Sequence, residues 1–412
     1  MRCAPSSDAL RPAAFVTLRK AALGLGAGIA AGYTFLRLAE ALREWREPSP
    51  PREKDACAYA SFRRTLEVAD TLRSTAGFVA FAYGPLAGTL DRAASRAPAF
   101  LRPALYFAPL SLAAAVADLP VSFVQGYTLE RRFGLSDQTR ASWLAEYAKS
   151  SLLAAALSGF LATLLGMAVR HAPRRWPWLA SLGTLPLFVA ANVIVPLYVL
   201  PLFNRFEPVE GSLEERLRRL AARFGVGDAA ILRMDMSRQT RKANAFVTGI
   251  GRTHRIVLGD TLIEAFPENE TEFVVAHELG HYVNKDTWRM IALGEALVTL
   301  LFLIANGAAS KEEREELRHR PLLLVRIYAI MLLATQAFRP LLLAFSRSRE
   351  WAADRFAIEA TRDPAGGAAA FRRLRDQNLA DEDPPQWYEL FFSSHPSLRR
   401  RIAALERSDS VS

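Results

Sequence analysis

Cysteine is nearly absent from this 412-residue sequence, which has only Cys3 and Cys57. Two thiols without metal-site spacing exclude a disulfide framework and a thiolate-held metal, and leave the redox compartment open. Lysine is scarce beside arginine, a bias that reflects genomic base composition more than mechanism. The formal charge is +10, but the basic residues are interleaved with acids, as in Arg216, Arg218 and Arg219 beside Glu214 and Glu215. Such faces read as solvated or as lipid-headgroup contacts, not as a nucleic-acid surface.

Apolar residues, by contrast, make up 51% of the chain, bunched into long runs between charged segments. Crossing a membrane takes roughly 20 mainly apolar residues, at about 1.5 Å each against about 30 Å of hydrocarbon. Runs at 13–36, 74–90, 99–127, 150–169, 176–200, 290–309 and 322–345 meet that length, about seven spans. The first follows Arg2 and Arg11 but lacks a small-residue cleavage site, so it reads as an anchor and not a secretory signal. Gly77, Gly84, Pro85 and Gly88 interrupt the second, leaving a kinked or re-entrant segment as the alternative. Trp143, Trp176 and Trp178 sit near span ends, where indoles anchor at the headgroups.

The expected fold is therefore mainly α and polytopic. Residues 1–202 form an N-terminal membrane region of about five spans, 203–288 a polar loop, 289–345 two further spans, and 346–412 a polar C-terminal segment. Both polar parts face one side if two spans separate them, and can build one α+β domain. Basic residues near them place that side in the cytoplasm. In the loop, 213–224 has helical spacing and stops at Gly225. Short runs at 230–236, 244–250 and 255–258 predict a small sheet. The spacing predicts a helix over 268–282, with Asn269 as N-cap and Glu272 completing a capping box.

That helix carries His277-Glu278-Leu279-Gly280-His281. Histidines four apart lie one turn apart on one face and can share a Zn²⁺ ion. Glu278 is placed to take a proton from an attacking water without ligating the metal. A chance polar face is the bland alternative. Phe273, Val274, Val275 and Gly280 argue against it, because they predict a buried helix closely approached by other backbone. No further histidine follows at metzincin spacing. The segment Ser346 to Asp354 instead offers Glu350 as ligand and, one turn on, Asp354 as partner for a histidine's other ring nitrogen. The alternative for this pair is an exposed acidic face balanced by Arg347, Arg349 and Arg355.

These residues, with Pro201-Leu202-Phe203-Asn204-Arg205-Phe206-Glu207-Pro208, Asn244-Ala245-Phe246, Ser348-Arg349-Glu350 and His395-Pro396-Ser397 with Arg401 and Ile402, resemble the type I CAAX prenyl proteases. That family comprises integral-membrane zinc endopeptidases of the gluzincin group. The resemblance implies a zincin-like catalytic domain with one Zn²⁺ held by His277, His281 and Glu350, supported by Asp354. It implies that His395 and Arg401 contact the reacting carbonyl region, and that Asn244, Ala245 and Phe246 hold an extended substrate by strand addition. It also implies an intramembrane chamber capped by the site on the cytosolic side, with prenylated CAAX proteins as substrates. Damaged membrane proteins are the alternative substrates, and a bacterial inner membrane the expected location, with membrane lipid as partner. A metal-holding scaffold and a transporter using Asp118 or Glu295 are the rival classes. His171, His254 and His319 have no partner at metal spacing.

Overall fold

The structure is a computed structural model that describes residues 10–47, 55–249, 253–309, 316 and 320–409, with residues 10–23 described by their backbone alone. Cys3, Arg2, Ile250 and His319 lie outside the described residues, as do the side chains of residues 13–23 in the 13–36 run. Cys57 is a free, exposed thiol.

Helix α1 (Leu10–Arg46) precedes α2 (Ala56–Tyr83) and the short α3 (Pro85–Ala94). The span read at 74–90 is therefore not one helix. Pro85 forces the residue before it into extended backbone, and Gly84 at φ −90°, ψ 173° makes the break. Helix α4 (Arg102–Phe123) runs on through a π-turn to Arg132, α5 spans Arg140–His171, and α6 (Trp176–Ile194) runs on to Leu202. Among the described residues five helices are long and apolar enough to cross a membrane: these three and two that follow the polar loop. They coincide with five of the seven expected runs.

One expected anchor is instead core. Trp176 is 1% exposed, donates Nε1–H to Asn306 at 3.0 Å and meets Phe302 edge-on. Trp178 remains exposed, and Trp143 stacks on Tyr147. Of the rival transporter residues, Asp118 pairs with Arg73 at 2.6 Å, and Glu295 accepts hydrogen bonds from Ser181 and Thr184.

In the polar loop, α7 (Ser212–Arg223) buries Leu213, Leu217, Leu220 and Ala221 on one stripe. Its other face carries the Glu214–Arg218 and Glu215–Arg219 pairs. Burying a leucine such as Leu217 contributes about 1.5–3 kcal/mol, and Gly225 at φ 77° ends the helix. Strands β1 (Phe206–Pro208), β2 (Ala230–Met234), β3 (Ala245–Thr248) and β4 (Arg255–Gly259) form a sheet of order β1-β2-β4-β3. Only the three-residue β1 was not legible as a strand. β2 and β4 are parallel, while β1 and β3 pair antiparallel with their neighbours.

Beyond the sheet come α8 (Asp260–Ala265), α9 (Glu268–Val283), α10 (Asp286–Ala308), α11 (Pro321–Thr361), α12 (Pro364–Asn378), α13 (Gln386–Phe392) and α14 (Leu398–Asp409). The expected capping box on α9 does not form. Pro267 is its N-cap, so Asn269 lies inside the first turn and reaches Asp363 instead, while Glu272 pairs with Arg216. One core unites the two polar regions: Leu217, Ile231, Leu258 and Phe273 pack in the same cluster as Ala357, Phe371 and Leu405.

Candidate metal centre and active site

Helix α9 sits against the sheet and presents its His277–His281 face to α11. Gly280 permits the approach: a Cβ there would lie 3.1 Å from Ala353 Cα and from the Phe356 ring. Gly280→Ala is therefore expected to push the two helices apart at the site. Thermal unfolding should show a loss of about 1–3 kcal/mol together with reduced metal content. A variant as stable and as metal-rich as wild type would show that the contact does not set the site.

The approach has a consequence for Glu350. Helix α11 does not stop where the last apolar run ends but continues unbroken to Thr361, so Glu350 and Asp354 stand on one buried face of a membrane helix. Ligand atoms of His277, His281 and Glu350 lie within 4.8 Å of one another. His277 Nε2 is 3.3 Å from one carboxylate oxygen of Glu350, and His281 Nε2 is 3.4 Å from the other.

Both histidines are held from behind. Asp354 Oδ1 accepts from His277 Nδ1 at 2.9 Å, and Asp286 Oδ2 accepts from His281 Nδ1 at 3.0 Å. With Nδ1 committed to a carboxylate, each ring points its Nε2 towards Glu350, and in the neutral ring that atom carries the lone pair a metal requires. Glu350 Oε2 is a buried oxygen without a hydrogen bond of good geometry. Two imidazole nitrogens and an unsatisfied carboxylate oxygen suit a divalent transition metal, with an open position left for chemistry.

Asp286 belongs to none of the motifs above, although it stands shortly after the second histidine. Lys285 in the left-handed region, φ 57°, turns the chain so that α10 begins with Asp286 beneath His281. Arg349, one residue before Glu350, clamps it through a 2.6 Å bond from Nε to Oδ1. Asp286→Asn is expected to lower metal affinity about 10–100-fold, read by competition with a metal-binding dye. Unchanged affinity would relegate Asp286 to packing.

Arg401 and His395 come from the C-terminal segment. Arg401 is buried, donates to both oxygens of Asp354 at 2.8 and 2.6 Å, lies 3.4 Å from Glu350 Oε2 and covers the Phe371 ring at 4.3 Å. It stands behind the ligands. His395, on the exposed side, reaches Glu350 Oε1 at 3.4 Å through Nε2, and Ser394 Oγ contacts its Nδ1 at 2.8 Å. His254 packs on the Tyr282 ring and His171 contacts the Met167 carbonyl, both away from this cluster.

Electrostatics follow from burial and partners. Burial disfavours charge on His277, but its bonds with Asp354 and Glu350 outweigh that and raise it to about 9. His281 is raised in the same way, against burial, by Glu350 and Asp286. Burial pushes the Glu278 carboxyl up, and the two neighbouring histidines pull it down only in part.

The strand nearest this helix, β3, is a sheet edge. Gly259 N–H donates to the Asn244 carbonyl at 2.9 Å, and the alternation of an antiparallel pair then turns the main-chain groups of Ala245 and Val247 outward. The Asn244 side chain is exposed, Ala245 is buried and Phe246 half-buried. A cavity of about 470 Å³ adjoins the cluster at His281 and Glu350 and extends between Phe188 on α6 and Met290, Ile291 and Gly294 on α10.

Residues 208–409 match the profile of Peptidase family M48, and residues 51–205 match that of the CAAX prenyl protease N-terminal region, five membrane helices. The chain is similar to the Bacillus subtilis protein called Uncharacterized metalloprotease YhfN, 29% identical over 325 residues, 76% of this chain and 75% of that one. It is also similar to CAAX prenyl protease 1 of Saccharomyces cerevisiae, 26% identical over 319 residues, 72% of this chain and 70% of that one. The crystal structure of S. mikatae Ste24p shares its fold, with a TM-score of 0.73 and 21% identity over 93% of this chain and 99% of that one. With a helical membrane region, a small sheet and a His-Glu-His cluster between them, the chain belongs to peptidase family M48 and is an integral-membrane metallopeptidase resembling the CAAX prenyl proteases.

Proposed function

We propose that this metallopeptidase is a zinc endopeptidase with one Zn²⁺ held by His277, His281 and Glu350. The observation that carries the reading is the convergence of two carboxylate-backed imidazoles on a buried carboxylate oxygen that lacks its own hydrogen bond. Nitrogen and carboxylate donors without thiolates suit zinc in a catalytic, not a closed structural, site. On this reading residues 203–288 and 346–412 form the catalytic unit, and 1–202 and 289–345 the membrane region. The active site faces the cytoplasm of a bacterial inner membrane.

The chemistry a zinc ion supplies there when bound is Lewis acidity, which polarises the scissile carbonyl and acidifies the attacking water. The protein does the rest. Glu278 takes the proton from that water and returns it to the leaving amine, a role suited by a carboxyl raised through burial. His395 donates Nε2–H to the carbonyl oxygen as it gains negative charge. Asp354 holds His277 in its donor tautomer and Arg401 holds Asp354, so Arg401 is a positioning residue that also adds positive potential. Asn244, Ala245 and Phe246 lay the substrate along the edge of β3 as an added strand.

Substrates with a prenylated C-terminal CAAX segment are the favoured class, supported by the similarity to CAAX prenyl protease 1. The test is proteolysis in liposomes of a farnesylated CAAX peptide beside its unprenylated twin, with native and chelator-treated protein. Preferential cleavage of the farnesylated peptide, lost with chelator and restored by zinc, is the expected result. Equal cleavage of the twins would sink prenyl dependence in favour of general clearance of damaged membrane proteins.

A further inference from the structure

Strand β3 is fed by residues 239–243, which lie against the connector between α4 and α5. Arg241 N–H donates to the Leu135 carbonyl at 2.8 Å, and Ser136 Oγ donates to the Gln239 carbonyl at 2.6 Å. Closer to the strand, Lys242 turns its side chain into the membrane region. Its Nζ is 2.7 Å from Glu130 Oε2, near the end of the α4 span, and 2.8 Å from Tyr59 Oη on α2. Tyr59 donates in turn to Glu130 Oε1 at 2.5 Å, and Arg63 stands 3.4 Å from the same oxygen. Tyr59 is 2% exposed and Glu130 8%.

None of these groups belongs to the histidine and carboxylate cluster or lines its cavity. Their tie is to the strand. Lys242 lies two residues before Asn244, whose carbonyl makes the first bond of β3 to Gly259. The Lys242 carbonyl accepts from Thr261 Oγ1 at 2.7 Å, and the Asn378 side chain clasps both main-chain groups of Ala243. Leu379, next in the chain, packs with Tyr59 and Leu135 in one cluster. A buried ion pair returns little net stability once desolvation is counted, and its best-attested use is to fix register. An edge strand that accepts an added strand gains most from being held extended beforehand, because binding otherwise bears the cost of ordering it.

We propose that Lys242 is a positioning residue for peptide hydrolysis: seated on Glu130 and Tyr59, it holds β3 ordered from the membrane side, ready for an extended substrate. The proposal rests on the reading of β3 as the substrate-binding edge.

The test uses the full chain and Lys242→Met, which keeps the length of the side chain and removes its charge while Arg63 still faces Glu130. Amide hydrogen exchange over residues 242–248, which needs no substrate, is expected to be at least about fivefold faster in the variant, because a charged hydrogen bond is lost. Metal content should not change. For the CAAX peptide that the liposome assay cleaves, KM is expected to rise about threefold to tenfold with kcat retained, since ordering moves into the binding step. A merely weakened fold would instead lower kcat through lost active protein. Unchanged exchange, or unchanged KM, in Lys242→Met would overturn the proposal. Ala245→Pro, which removes an outward N–H from β3, separates this failure from that of the underlying reading. A raised KM in Ala245→Pro alone would keep the substrate strand and overturn Lys242. An unchanged KM in Ala245→Pro would remove the substrate strand and this proposal with it. Should Lys242→Met not fold, Glu130→Gln reads the same contact, and unchanged exchange there counts equally against it.

Discussion

Replacing Glu278 by glutamine is expected to cut peptide hydrolysis by about 10²- to 10⁴-fold, the usual contribution of a positioned general base, with bound metal unchanged. Glutamine keeps the size of the side chain and its carbonyl acceptor but cannot take a proton. The metal should stay because Glu278 is not one of the three converging donors. Packing should stay as well, since glutamine matches the shape of glutamate and the inner face of the helix is formed by Phe273, Ala276 and Leu279. The two quantities to measure on one sample are the hydrolysis rate and the metal content by atomic emission. Loss of rate with KM and metal retained assigns the proton transfer to Glu278. Parallel loss of metal would make it a structural neighbour of the site, and retained rate would remove the base from this position.

Removing the Glu350 carboxylate, as in Glu350→Ala, should be more damaging and in a different way. Its two oxygens are approached by His277 at 3.3 Å and by His281, His395 and Arg401 at 3.4 Å each, in a place where Glu350 itself is 5% exposed. Taking away one partner of a buried charge cluster costs about 3–5 kcal/mol, because the others are left uncompensated. Metal should no longer survive dialysis, and hydrolysis should fall below detection. The unfolding midpoint should fall even when wild type and variant are both stripped with chelator. That last comparison separates the carboxylate's electrostatic role from ligation. A Glu350→Ala protein that keeps one metal per chain would show that the third ligand lies elsewhere.

Much of this architecture is local in origin and could be read from neighbouring residues. The four-residue spacing of His277 and His281 sets both rings on one helical face whatever surrounds it. The periodic stripe of Leu213, Leu217 and Leu220 makes an amphipathic helix, and Gly225 stops it. Five of the apolar runs form long helices because length and composition alone decide that a segment can cross a membrane.

What contiguous residues left open were matters of which surfaces meet. Asn269 had the chemistry of a cap, but Pro267 started the helix earlier and Asp363 supplied another partner. Trp176 had the place of an interfacial anchor, yet α6 packs it against Phe302 and Asn306 of α10. Asp286 became the support of His281 only because a left-handed Lys285 turns the chain beneath it and Arg349 arrives from α11. Spacing within single segments accounts for the five long apolar helices and for two histidines on one helical face, whereas Glu350, a candidate through the family resemblance, comes within reach of them only because α11 packs on α9. Only packing settles which carboxylate backs which histidine and how closely α9 and α11 approach at Gly280. Side chains far apart in the chain acquire a common environment only when their elements pack.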